Sequence, residues 1–339
     1  MKLAANQVSS CYGPNKAKHL NNQAVILDLY PDENILKTEY FQSDPNVSKN
    51  GLKLLSYGTI RYLNSFVKNV LNIQNSDQHL SVMSPLKIKG VFSILDQPQL
   101  NEADRIILDQ FNQDLFLKVK DAKCMVLSGS PITPYSDQKM FQQQSNWCTN
   151  LYYEIISPLL KKIDVFNQKM RNVQKIKILG ICGGHQVIHH AYGGKISKMQ
   201  DGVSGVQSVH PIGLKSINQG FRILAANQGY VEKKAPDFSV WLTGKNDQNL
   251  ATIGKKRTCI SIQYHPERTE QSYRPFQKAK GQAAEHGGKV HYRPFMAVFR
   301  QITLGCDASS YYDRHWIRKK AFPLPKVHQT AEESHRVQM

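Results

Sequence analysis

The chain has 339 residues, 40% of them hydrophobic and 21% charged, with a formal net charge of +18. That length can bury one large core or two modest ones, and no apolar run approaches the roughly 20 residues a membrane-spanning helix needs. Six scattered cysteines (Cys11, Cys124, Cys148, Cys182, Cys259, Cys306) show neither CxxC nor metal-ligand spacing, which argues against a disulfide framework and a metal site and for a reducing compartment.

Residues 1–22 read as a polar lead-in. Met1–Cys11 has only a fragment of an apolar run, so no signal peptide is expected; residues 1–27 contain no acid but no arginine either, a weak match to an organelle transit segment. The expected location is cytoplasmic, with an organelle matrix as the alternative. Gln23–Tyr30 is a first buried strand closed by Pro31-Asp32, and Ser43–Asn46 and Asn50-Gly51 are loop-like. Leu52–Leu71 carries apolar residues at helical spacing. Leu80–Val91 contains two short β-like pieces around Pro85, Val91–Leu95 is another, and Asn101–Leu117 is a second amphipathic helix. Ala122–Leu127 is a buried strand running into the turn Ser128-Gly129-Ser130-Pro131, and Phe141–Ile163 is helical with a kink or break at Pro158.

Lys175–Ile181 reads as the next buried strand and Gln186–Tyr192 as a helix stopped by Gly193-Gly194. Beyond it, Val203–Leu214, Phe221–Val231, Phe238–Leu242 and Leu250–Ile253 are short strands or hairpins, and Thr258–Tyr264 is a clear strand. Residues 268–292 are polar and basic, Pro294–Ile302 suits a closing helix, and 304–339 form a basic tail containing Arg318-Lys319-Lys320. Strands alternating with helices predict an α/β fold with a mostly parallel sheet flanked by helices. In such a sheet ligands bind at the carboxyl ends of the strands, where Ser128–Pro131 and Gly180–Gly184 both fall.

Between strand and helix stands Gly180-Ile181-Cys182-Gly183-Gly184. A turn this tight forces its central residue into a strained backbone and lifts its side chain to a helix N-terminus, where the dipole favours a thiolate. A buried structural cysteine on a Gly-rich turn is the simpler alternative. A nucleophilic thiolate needs a base, and the base needs an orienting group. His265-Pro266-Glu267, directly after a buried strand, offers both, because residues two apart in an extended segment point to one side. His210-Pro211 lacks the following acid, and His189 and His190 on the helix read as packing or surface residues.

GICGGHQ (180–186) and IQYHPE (262–267) resemble the G-x-C-x-G-x-Q elbow and V-Q-F-H-P-E strand end of the class I glutamine amidotransferases. LSGSP (127–131) resembles that family's L-S-G-G-P, and Asn227-Gln228-Gly229-Tyr230 resembles the N-H-G-F segment of the carbamoyl-phosphate synthase small subunit. The resemblance covers about residues 24–300 and implies a flavodoxin-like amidotransferase domain over 23–303, with insertions near 41–100 and 268–292. It implies Cys182 as nucleophile, His265 as base and Glu267 as its orienter. The backbone N–H groups near Ser130 and of Gly183 would form the oxyanion hole, and Gly129, Gln186, Gly229 and Tyr230 would hold the substrate. No metal and no cofactor is implied. Three departures stand out: Ser130 in place of glycine, Gln228 in place of histidine, and the extra length.

The expected activity is hydrolysis of a glutamine side-chain amide through a Cys182 thioester. With neither an ATP-pyrophosphatase loop nor a Walker A sequence in the chain, ammonia would pass to a separate synthetase subunit. A free-standing γ-glutamyl hydrolase would use the same residues, and a non-catalytic scaffold would explain the additions and the charge. The charge leaves a nucleic-acid partner open, but the basic residues are dispersed and no RNA-binding signature accompanies them.

Overall fold

A computed structural model describes residues 24–32, 59–71, 80–130, 133–142, 144–211, 221–244, 249–254 and 258–267. The lead-in, the 268–292 stretch, the 294–302 helix and the tail lie outside the described residues, as do Leu52–Gly58, the first turns expected of the 52–71 helix.

The strands are β1 (Ala24–Leu27), β2 (Leu80–Met83), β3 (Cys124–Leu127), β4 (Lys177–Ile181), β5 (Lys195–Pro211), β6 (Phe221–Lys233), β7 (Phe238–Thr243), β8 (Asn249–Gly254) and β9 (Cys259–Ile262). They form one nine-stranded sheet in the order β2-β1-β3-β4-β9-β8-β7-β5-β6. From β2 to β9 every pairing is parallel, and from β9 to β6 every pairing is antiparallel. The α/β sheet read from the sequence is therefore present, with an antiparallel wing added at one side. β5 and β6 are longer than the short strands read from the sequence, because their pairing runs through register shifts that keep the ladder going.

The helices are α1 (Thr59–Leu71), α2 (Lys89–Leu95), α3 (Glu102–Lys120), α4 (Gln138–Gln142), α5 (Asn146–Asn150), α6 (Ser157–Lys169) and α7 (Gly183–Ala191). β1 and β3 are apolar and buried on both faces, as a sheet covered on both sides requires. Val25, Leu27 and Met125 pack with α2, α3 and α6, whereas Ala24, Ile26 and Val126 pack with Leu63, Phe66 and Val67 of α1. α3 begins with a capping box, Asp104 N–H donating to Asn101 Oδ1 at 3.0 Å and Asn101 N–H to Asp104 Oδ2 at 3.2 Å.

Two local readings are corrected. Val91–Leu95 is helical rather than β-like: Pro85 opens a 3-10 turn, and Val91, Ile94 and Leu95 bury at helical rather than alternating spacing. Around Pro158 the helix widens rather than stopping. Leu151–Ile156 is a π-helical stretch between α5 and α6, with Ser157 N–H donating to Tyr152 O. Proline has no N–H for the carbonyl four residues back, and that carbonyl, Glu154 O, accepts instead from Asn112 Nδ2 on α3.

Candidate functional site

At the end of β4 the chain turns into α7 through Cys182, whose φ of 51° and ψ of −106° make it the one non-glycine residue at positive φ among the described residues. The glycines around it are forced by close approach. A Cβ on Gly180 would lie 2.6 Å from Gly184 O, and one on Gly184 would lie 2.5 Å from Leu127 O. Backbone bonds hold the turn: Cys182 N–H donates to Ile262 O at 2.7 Å and Gly184 N–H to Ser128 O at 3.1 Å. Cys182 is the N-cap of α7, so its sulfur sits at the positive end of that helix.

β9 lies beside β4 in parallel register, Ile181 opposite Ile262. The residues that follow β9 therefore emerge at the same sheet edge as Cys182. His265 and Glu267 are both buried there, with Nδ1 and Oε1 2.7 Å apart. With Nδ1 committed to Glu267, Nε2 is the ring atom left for the neighbouring Cys182 sulfur. Burial opposes the charged form of His265, but the Glu267 carboxylate and then the Cys182 sulfur more than offset it. The imidazole pKa is raised to about 9. A sulfur at a helix N-terminus, an imidazole and a carboxylate are thus in series, an arrangement that can sustain a thiolate–imidazolium pair and shuttle a proton.

Leu127–Ser130 runs alongside. Ser128 ties it to β1, accepting from Leu29 N–H at 2.8 Å through its hydroxyl and donating its own N–H to Leu27 O at 3.1 Å. A Cβ on Gly129 would meet His265 Cε1 and the Tyr30 hydroxyl, each at 3.0 Å. Ser130 abuts Gly183: a Cβ on Gly183 would lie 2.6 Å from Ser130 Cβ and 2.8 Å from Ser130 N. The side chain gained at Ser130 thus fills space left open by the absence of one at Gly183.

Gln186 and Gly229, both implied as substrate-holding residues, lie side by side and bond each other. Gln186 Nε2 donates to Gly229 O at 2.7 Å and to Gln263 Oε1 at 3.1 Å. Asn227 Nδ2 donates to the same carbonyl at 2.9 Å. Gly229 must be glycine, since a Cβ would meet Thr133 Cγ2 at 2.4 Å. Tyr230 follows it on β6, half-buried and opposite Ser197. His210 lies in the antiparallel wing, paired with Thr243 of β7.

Sequence reasoning missed Gln263 and Asn227 as members of this cluster. Both were within segments already singled out. Gln263 stands two residues before His265, so the alternation that linked His265 to Glu267 also pointed to it.

A second histidine cluster lies behind the turn, on the face of α7 that meets β8 and β9. Ala235 N–H donates to His189 Nδ1 at 3.0 Å, so the ring proton of His189 is on Nε2, 2.8 Å from Thr252 Oγ1. Thr252 and Ser261 hydroxyls are 2.7 Å apart, Ser261 Oγ is 2.8 Å from His185 Nδ1, and His185 Nε2 donates to Asn249 O at 2.9 Å. His189 Nε2 also lies 3.4 Å from Ser261 Oγ, and the shortest contacts give a chain with a single direction. Burial holds both rings neutral, lowering the pKa of His185 to about 3 and of His189 to about 2. Among the described residues no group of His, Cys, Asp and Glu is placed to hold a metal ion, and no helix is long and apolar enough to cross a membrane.

Comparison with known proteins bears on this geometry. The family model for glutamine amidotransferase class-I matches residues 106–278, just over half of the chain. The chain is 36% identical over 99 residues to the carbamoyl phosphate synthase small chain of Cyanidium caldarium, covering 28% of this chain and 24% of that one. It is 34% identical over 116 residues to that of Sulfurisphaera tokodaii, covering 33% and 30%. The matches thus span between 24% and 30% of those relatives' length. A solved glutamine amidotransferase from Thermotoga maritima aligns at 12% identity with a TM-score of 0.42, covering 83% of this chain and 96% of that one. The family match contains the elbow at Cys182, the Gln186–Gly229 contact and the His265–Glu267 pair, and the chain belongs to the class I glutamine amidotransferases.

Proposed function

We propose that this chain hydrolyses a γ-glutamyl amide, glutamine first among them, through a thioester on Cys182, and that the ammonia passes to an acceptor enzyme on a separate chain. The single observation that carries the reading is the convergence of Cys182, held at positive φ, with the buried His265–Glu267 pair.

The thiolate of Cys182 attacks the side-chain amide carbon, and the carbonyl electrons move onto oxygen. The backbone N–H groups of Ser130 and Gly183, on abutting segments, receive that oxyanion; such donors are typically worth about 3–4 kcal/mol each. His265 gives its Nε2 proton to the departing nitrogen, and ammonia leaves with the thioester in place. The neutral imidazole then takes a proton from water, whose hydroxide adds to the thioester carbon. Collapse expels the Cys182 thiolate and releases the acid. Glu267 keeps the imidazole oriented throughout and stabilises its charged form.

The similarity to small chains of carbamoyl phosphate synthase supports the separate synthetase subunit. A nucleophilic thiol suits a reducing compartment such as the cytoplasm. The test is ammonia release from glutamine and from γ-glutamyl amines, for wild type and Cys182→Ser. The expected result is release by wild type, rising when the partner synthetase is added, and none above background for Cys182→Ser. Release unaffected by the substitution rejects the nucleophile. Turnover of γ-glutamyl amines in preference to glutamine assigns the free-standing hydrolase instead.

A further inference from the structure

The amides beside Cys182 have only one consistent orientation. A backbone carbonyl can only accept, so the Gln186 atom 2.7 Å from Gly229 O is its nitrogen. The other N–H of that group points to the Gln263 amide at 3.1 Å, and only an oxygen can receive it. The flip of Gln263 is thereby fixed as well. Its NH2 is left facing Cys182 Sγ, 3.7 Å away. Turning Gln263 over would set two NH2 groups against each other and direct a carbonyl oxygen at the sulfur. Gln186, Gly229 and Gln263 are all buried, so water does not offer an alternative partner.

We propose that Gln263 is a further catalytic residue: its Nε2–H donates to the Cys182 sulfur and favours the thiolate over the thiol, and Gln186 is the positioning residue that fixes the orientation. The assignment rests on the reading of Cys182 as nucleophile. A thiolate is a far better acceptor than a thiol or a thioester sulfur, so the bond is selective for the charged form. It weakens when the thioester forms and strengthens again when the thiolate is expelled, so it assists the second half of the reaction. It also changes the place of Gln186: both of its amide hydrogens are spent on Gly229 and Gln263, and its action on the reaction runs through Gln263.

The test is the rate of Cys182 alkylation by iodoacetamide from pH 5 to 10 on the full-length protein, read on the Cys182 peptide by mass spectrometry. Wild type, Gln263→Met, Gln263→Glu and Gln186→Met are compared. Gln263→Met should slow Cys182 alkylation at neutral pH about tenfold. Gln263→Glu, which turns a carboxylate on the sulfur, should slow it further, and Gln186→Met should slow it less. A wild-type profile in both Gln263 variants overturns the proposal. If those variants do not fold, a wild-type profile in Gln186→Met overturns it. Alkylation needs no substrate, so the two readings separate. A shifted profile in a protein that releases no ammonia upholds the donor and removes the reaction, and an unshifted one with full ammonia release does the reverse.

Discussion

His265 and the pair His185–His189 are all buried, all on or beside the α7–β9 junction, and they end in opposite states. His265 faces a carboxylate at 2.7 Å and a sulfur, and its charged form is favoured. His185 and His189 face hydroxyls, a carbonyl and a backbone N–H, and burial keeps them neutral. Burial alone thus says only that charge is expensive, and the chemistry of the partner decides whether the expense is met. The neutral pair belongs to a closed chain of bonds whose ends are both backbone groups, so it has no proton to give to a ligand. The charged one belongs to a chain that ends on a sulfur. The first arrangement braces α7 against β8 and β9; the second can do chemistry.

Substitutions on the two sides should separate cleanly. The largest effect is expected for His265→Asn, which removes the proposed proton carrier: ammonia release from glutamine should fall at least about a thousandfold, measured by a coupled assay. Glu267→Gln keeps the shape but removes the charge that offsets burial, and should lower release by about a hundredfold or more at neutral pH. His189→Leu should act on the other property. It leaves Ala235 N–H without its acceptor and should cost about 1–3 kcal/mol of stability in denaturant titration, with the Cys182 alkylation profile unchanged. An altered alkylation profile in that variant would erase the distinction.

The remaining effects concern pH, and their signs differ. His185 and His189 have folded values below the unfolded value near 6.5, so their contribution is complete above it and is lost as pH falls. Each adds a slope of up to about 1.4 kcal/mol per pH unit on the acid side. His265 has a raised value, so its contribution is complete below about 6.5 and is lost as pH rises through about 9. Unfolding midpoints should therefore be lower at pH 5 and at pH 9.5 than at pH 7, and the acid-side slope should shrink in His189→Leu. An acid side unchanged in that variant would mean that the buried pair is not what titrates.

Much of the site was legible because it depends on local constraints. The tight turn at Cys182 announces itself through the glycines on either side, and His265 and Glu267 share a face through simple alternation after a buried strand. The parallel strands were legible as apolar runs. What the sequence hid depends on distant partners. Val91–Leu95 is too short and too apolar for its period to be read until α5 packs against it and the core buries one side. Pro158 reads as a kink or a break, because nothing near it in the chain reveals that Asn112 will take the Glu154 carbonyl. The direction of the Gln186–Gln263 amides depends on Gly229 and Asn227 arriving from β6. His189 reads as a packing or a surface residue, and the choice between them rests on Thr252 and Ala235, which enclose it.

The central claim is that Cys182 and His265 act as one unit. Its most direct measurement is the rate of covalent adduct formation on Cys182 by a thiol-reactive glutamine analogue, followed by mass spectrometry in wild type and in His265→Asn. The expected result is rapid, stoichiometric labelling of Cys182 in wild type and labelling slowed at least about a hundredfold in the variant. No adduct on Cys182, or equal rates in the two proteins, would contradict it.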